Sequence, residues 1–274
     1  MKSIQIKHPS TIQASQKAFV DHAVSSLSAD RRIAGIAAAG SYADDSMDEF
    51  SDVDLIIAVE AEHHAEVMGE RLEIASRLGN LLVAFTGEHV GEPRVLISLY
   101  ASPLLHADLK FVALPDLARR VDEPVVVWER DERLSRILAA SAGSYPCPEF
   151  QWVEDRFWVW VHYAATKIGR GEFFEALDFL SFLRGKVLAP LGLRELGMRP
   201  SGVRKIEMVA PSLSRELEDT IGGHDRNSLL LALQACIAIY RRLRSAEAHN
   251  VASRSDAEDA AVEFLRELTV IDFS

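Results

Sequence analysis

Asp52 and Asp54 stand one residue apart at the mouth of an apolar run, Leu55 to Val59. Extended backbone puts alternate side chains on one face, so both carboxylates point one way and Val53 points the other, towards a core. Neighbouring carboxylates repel unless a cation sits between them. A divalent hard cation, which takes oxygen ligands, is the obvious candidate. A third acid, Asp108, lies in the stretch Leu104-Leu105-His106-Ala107-Asp108-Leu109-Lys110-Phe111. From His106 to Phe111 even positions are polar and odd positions apolar, which sets His106, Asp108 and Lys110 on one face of a half-buried strand. Asp is disfavoured in strands, so its presence there asks for a reason. The plainer alternatives are an ion pair between Asp108 and Lys110 or a nearby Arg, and turn or cap roles for Asp52 and Asp54.

These acids need a scaffold. Ile33 to Ala39 reads as a first strand; it ends in Gly40-Ser41, and a polar acidic loop leads from there to Asp52 and the second strand. Ahead of it, residues 10 to 28 read as a helix, with Ser10 as N-cap, Gln13 as its capping-box partner, and Ile12, Phe19, Ala23 and Leu27 at helical spacing. A helical pattern from Ala61 to Leu78 follows. Three strand-like runs come next, Leu81 to Phe85, Arg94 to Tyr100 and Leu104 to Leu114, separated by Gly and Pro turn signals. Pro124 to Trp128 reads as a short edge strand. This order predicts an α+β domain with a mixed β-sheet flanked by helices.

Small residues and two prolines at 141 to 148 predict a linker, and hence domains at 1–144 and 145–274. Beyond it, residues 149–170, 172–189, about 203–220, 225–248 and 254–269 read as helices, giving an all-helical C-terminal domain. In the first of these, Asp155, His162 and Thr166 share one helix face, either lining a cleft against the first domain or forming a polar cluster satisfied within the second.

Composition narrows the partners. A net charge of −11 argues against nucleic acid. Cys147 and Cys236 form no metal or disulfide pattern. No segment is long and apolar enough for a membrane span, and the N-terminus lacks a secretory pattern, so a cytoplasmic protein is expected. The apolar, aromatic helices can pack within one chain or across a homodimer.

Gly40-Ser41, then Asp52-x-Asp54, then Asp108 resembles the signature of the nucleotidyltransferase superfamily related to DNA polymerase beta. Among its small members the chain is most similar to the aminoglycoside adenylyltransferases and lincosamide nucleotidyltransferases. The resemblance implies that Asp52, Asp54 and Asp108 are catalytic and hold one or two Mg²⁺ ions. It implies that Gly40 and Ser41 cradle the phosphates of a nucleoside triphosphate, with ATP the expected co-substrate. It further implies a Lys of the helical domain on those phosphates, for which Lys167 is the candidate; strand geometry makes Lys110, near Asp108, a second cationic candidate. The expected reaction moves AMP onto a hydroxyl of a small-molecule acceptor, an antibiotic in the resistance enzymes, and releases pyrophosphate.

Two other readings compete: a non-catalytic nucleotide-binding sensor or partner-binding protein that keeps the fold, and a phosphohydrolase using the same carboxylates. Other acids are weaker candidates. Asp44-x-Ser46-x-Asp48 has Glu49 where a calcium loop needs Gly, so Asp44, Asp45, Asp48 and Glu49 read as solvated loop. His63 and His64 read as surface residues.

Overall fold

The computed structural model describes residues 6–247 and 249–270. The chain divides between Ser144 and Tyr145 into two compact units.

The first unit is built on a six-stranded mixed sheet. Its strands are β1 (Ile33–Ala38), β2 (Val53–Val59), β3 (Asn80–Gly87), β4 (Glu92–Ala101), β5 (Leu105–Ala113) and β6 (Val125–Glu129), in the spatial order β3-β4-β5-β2-β1-β6. Neighbours run antiparallel except β2 and β5, which are parallel. That pairing sets Asp54 directly beside Asp108. One face of the sheet is sealed. Helix α1 (Ala14–Leu27) lays Phe19, Val20, Ala23, Val24 and Leu27 on it. The short α3 (His64–Gly69) and α4 (Arg71–Ser76) add Val67, Ile74 and Ala75. From the sheet, Leu55, Ile57, Leu109 and Phe111 meet them, which is the alternation expected of half-buried strands. The opposite face is covered at one end, where Leu114, Leu117 and Leu134 of α5 (Arg133–Ala139) pack on Ala34, Ala37 and Ala58.

Helix α1 starts at Ala14, later than the sequence suggests. Gln13 is its N-cap, and its backbone N–H donates to Gln16 Oε1 at 2.9 Å. Ser10 is committed elsewhere: its backbone N–H donates to Asp45 Oδ1 at 2.6 Å. The helix expected over residues 61–78 is broken at Glu70 into α3 and α4.

The second unit, in its described residues, is helical: α6 (Phe150–Gly169), α7 (Phe173–Phe182), α8 (Ala189–Glu195), α9 (Ile206–Val209), α10 (Pro211–Glu218), α11 (Arg226–Ala246) and α12 (Ser255–Val270). The sequence predicts the α11 helix to end at 248, which lies outside the described residues. Pro190 and Gly192 do not end the α7 segment as their types suggest. A wide turn over Leu183–Leu188 carries the chain into α8, where Pro190 sits in the first turn and needs no N–H partner. At Gly192 a Cβ would overlap the Leu213 side chain.

The unit's core closes around a charge. Glu154, on α6, is 1% exposed. Tyr240 Oη donates to Oε2 at 2.7 Å, while Arg244 Nη1 at 3.0 Å, the Arg254 N–H at 2.8 Å and Trp158 Nε1 at 3.2 Å donate to Oε1. Burial would raise its pKa, but these donors and the Arg244 charge outweigh burial and hold the carboxyl below its ordinary value. The polar face expected from Asp155, His162 and Thr166 looks away from this core. Asp155 and His162 are exposed, and Asp155 pairs with Arg254 at 2.7 Å.

Glu154→Ala should destabilise the helical unit by about 1–3 kcal/mol, because the buried Tyr240 hydroxyl and Trp158 N–H lose their acceptor while Arg244 keeps its pair with Glu258. Because the folded-state pKa is depressed, this contribution is present above the ordinary value of 4.5 and is lost as pH falls through the lower folded value. Urea unfolding followed by tryptophan fluorescence at neutral and acid pH checks both the size and the sign.

Candidate active site

The site grows from the C-terminal end of β1. Strand β1 stops at Ala38, and the Ala39 N–H donates to the Asp54 carbonyl at 3.1 Å. The chain then turns through Gly40 at φ +58° into the four-residue helix α2 (Gly40–Ala43). A Cβ at Gly40 would overlap Asp54 Oδ2. The glycine therefore serves two purposes: it takes the left-handed turn without strain and lets backbone lie against a carboxylate. Ser41 is buried.

Between Ser41 and Asp52 the chain forms a loop held from α1. Gln16 is 2% exposed, and its Nε2 donates at 2.8 Å to the carbonyls of both Asp48 and Ser51. Thr11 Oγ1 accepts from the Met47 N–H, and Asp48 Oδ1 accepts from the Phe50 N–H and from Ser51 Oγ. Two of the four loop acids thus do more than face solvent: Asp45 anchors Ser10 and Asp48 closes a turn. The product of these bonds is a fixed entry for Asp52 into β2.

One carboxylate oxygen from each of Asp52, Asp54 and Asp108 lies within 4.8 Å of the other two. Asp108 Oδ1 is buried and has no hydrogen-bond partner. His106 Nε2 is 3.1 Å away, near enough for an ion pair but outside hydrogen-bonding directions. Burial pushes the Asp108 carboxyl above its usual value, the Asp52 charge adds to the rise, and His106 opposes it. An all-oxygen set of three carboxylates, one with an unmatched buried oxygen, fits a hard divalent cation.

Lys110 lies two residues along β5 from Asp108, opposite Ile56 and Val95. Its Nζ is 2.7 Å from Glu92 Oε2 rather than on Asp108. Glu92 is held down to about 2, by Arg94 first and Lys110 next. Lys167, in the helical unit, pairs with Glu172 at 2.7 Å and Glu175 at 3.0 Å and lies over the Tyr163 ring. Asp52, Asp54, Asp108 and Gly40 are thus gathered at one place, while Lys110 and Lys167 are engaged in ion pairs with glutamates. His63 pairs with Glu66 on α3, as a surface residue would.

Residues 21–91 match the family model described as "Nucleotidyltransferase domain". This chain carries a nucleotidyltransferase domain. It is an enzyme domain of the transferase class. Gly40, Ser41, Asp52 and Asp54 fall inside the matched stretch, and Asp108 joins them from beyond it through the β2–β5 pairing. Among solved structures the chain is similar to an aminoglycoside 6-adenyltransferase from Bacillus subtilis, at 15% identity over 95% of this chain and 100% of that one, with a TM-score of 0.42. A second is a nucleotidyltransferase-like protein from Exiguobacterium sibiricum, at 17% identity over 84% of this chain and 75% of that one, with a TM-score of 0.38. No curated protein sequence matches.

Sequence reasoning missed Gln16. The signal was present: a glutamine at a core-facing position between Ile12 and Phe19, where an apolar residue belongs. Gln16→Leu should cost about 1 kcal/mol, since two partly buried carbonyls lose their donor. It should also weaken Mn²⁺ affinity at the carboxylates, measured by calorimetry beside urea unfolding. Gly40→Ala should leave the chain folded yet lower Mn²⁺ affinity at least as far, because the methyl group displaces the Asp54 carboxylate; circular dichroism and the same titration separate the two effects.

Proposed function

We propose that the chain is a Mg²⁺-dependent nucleotidyltransferase that moves AMP from ATP onto a hydroxyl of a small molecule and releases pyrophosphate. The observation that carries this reading is the convergence of Asp54 and Asp108, from two parallel strands, with Asp52 at the mouth of the first, beside a glycine turn. Asp52, Asp54 and Asp108 would hold the divalent cation. When bound, it would supply charge neutralisation for the triphosphate and for the leaving oxygen.

The chain's own residues do the rest. Gly40 gives the triphosphate a close approach to backbone, and Ser41 stands beside it. The Asp108 carboxylate accepts the hydrogen bond of the incoming hydroxyl and turns its oxygen towards the α-phosphorus. A new bond forms between that oxygen and the α-phosphorus as the bond to the bridging oxygen of the β-phosphate breaks. The hydroxyl proton passes to the Asp108 carboxylate, and the electron pair of the broken bond stays on the departing pyrophosphate. The fixed loop and the rigid β2–β5 pair serve positioning, from which phosphoryl-type transfers draw most of their rate.

The test is incubation with ATP labelled at the α-phosphate, Mg²⁺ and a panel of hydroxyl acceptors. Pyrophosphate should appear together with a labelled acceptor. Asp54→Asn should lower the rate by about a thousandfold or more, the equivalent of several kcal/mol of charge stabilisation. Pyrophosphate release undiminished in Asp54→Asn contradicts the mechanism. Inorganic phosphate as the product points to a hydrolase, and ATP binding without any transfer points to a sensor.

A further inference from the structure

The three carboxylates do not end the open face of the sheet. Register pairs Asp54 with Asp108, Asp108 with Ile97 and Ile97 with Phe85, so one row crosses β2, β5, β4 and β3 on a single face. The next row runs from His106 through Leu99 to Val83. Phe85 is 50% exposed and Val83 53%, and Ile97 and Leu99 are half-buried. Beside the carboxylates, then, lies an accessible apolar platform. Strand β3 carries no charged residue, and neither does β4 from Val95 to Ala101. The charges bordering the platform are partnered: Lys110 and Arg94 both hold Glu92.

An open cleft of about 430 Å³ meets the platform at Leu99 and His106; Phe50, Leu104 and Leu105 line it together with the polar Gln16, Glu49, Ser51 and Asp52 and the start of α1. Phe50 is 87% exposed and Leu104 71%. Single exposed apolar residues are ordinary, but four adjoining apolar side chains on paired strands, opening at one end into a mixed cleft beside a reactive centre, are the usual make-up of a ligand site.

Position says which ligand. In-line displacement puts the attacking hydroxyl opposite the leaving pyrophosphate. With the phosphates at Gly40-Ser41 after β1, and the carboxylates on β2 and β5, the opposite side is β4 and β3. We propose that the acceptor is a hydroxyl compound with an apolar, ring-bearing body, seated on Val83, Phe85, Ile97 and Leu99 with its hydroxyl at Asp108. This rests on the nucleotidyl-transfer reading above and gives its acceptor a chemical class. A polycationic acceptor would need free carboxylates along its length; Val83, Phe85, Ile97 and Leu99 offer none, Glu92 is taken by Arg94 and Lys110, and Glu49 stands only in the cleft.

The experiment uses the full chain and hydroxyl compounds in matched pairs, one member bearing an aryl group and the other an amine, with phenyl β-D-glucoside and glucosamine as the first pair. Dissociation constants come from ligand-observed NMR without nucleotide, and pyrophosphate release is measured separately with MgATP. The aryl member of each pair should bind about tenfold more tightly or better. Phe85→Ser should weaken that binding by about tenfold, the loss expected from one well-covered aromatic ring. Leu72→Ser removes an equally exposed apolar side chain from α4, on the other face of the sheet, and should change nothing. Tighter binding of the amine members, or aryl binding that survives Phe85→Ser, overturns the proposal. So does sedimentation showing that Phe85→Ser only converts a wild-type dimer, paired through the β3 edge, into monomers. The two readouts fail independently: pyrophosphate release can persist when the platform is empty, and aryl binding can persist when no transfer occurs.

Discussion

Holding Asp52, Asp54 and Asp108 within 4.8 Å of one another opposes folding, since each pair of charges at about 5 Å repels by about 3 kcal/mol at an effective dielectric of about 20. The rest of the first unit can be understood as what makes that arrangement tolerable. Parallel pairing of β2 with β5 fixes Asp54 beside Asp108 with no freedom of register, because a slip of one residue would turn Leu55 and Leu109 out of the core. The covered face of the sheet thus enforces the crowding on the open one. Burial and the Asp52 charge both push the Asp108 carboxyl above its ordinary value, and a bound cation would offset the repulsion.

The supports around the site work through backbone. Gly40 yields space to Asp54, Gln16 ties the 48–51 loop to α1, and the Asp54 carbonyl receives the Ala39 N–H. Each replaces solvent with a fixed partner, which is what a site for charged phosphates needs if reorganisation during transfer is to be small. The open face then passes from charged to apolar within two strands. Nucleotide and acceptor would meet on different chemistry while sharing one sheet.

Much of this was legible in the sequence, because the chemistry is written locally. A glycine-serine pair after one strand and Asp-x-Asp before the next identify themselves by type and spacing, and the alternation around Asp108 gives its strand and face. What stayed hidden depends on which strands become neighbours. Nothing in the residues from 80 to 113 states that β5 runs parallel to β2, or that Phe85 and Ile97 continue the row begun by Asp54. Glu154 was missed for a smaller reason. Adjacent helix positions differ by about 100°, and the polar pattern of Asp155, His162 and Thr166 drew attention to the face beside the one that is buried. Gln16 was hidden because a core-facing glutamine reads as an interruption of a pattern until its two carbonyl partners are seen.

Mn²⁺ titration of the wild-type chain and of Asp108→Asn, with a non-hydrolysable ATP analogue present and electron paramagnetic resonance as the readout, addresses the central claim most directly. The account predicts cation binding to the wild-type complex and a loss of affinity of at least about tenfold in Asp108→Asn. Equal affinity in the two proteins would contradict it, because Asp108 would then be no part of the cation site that Asp52 and Asp54 begin.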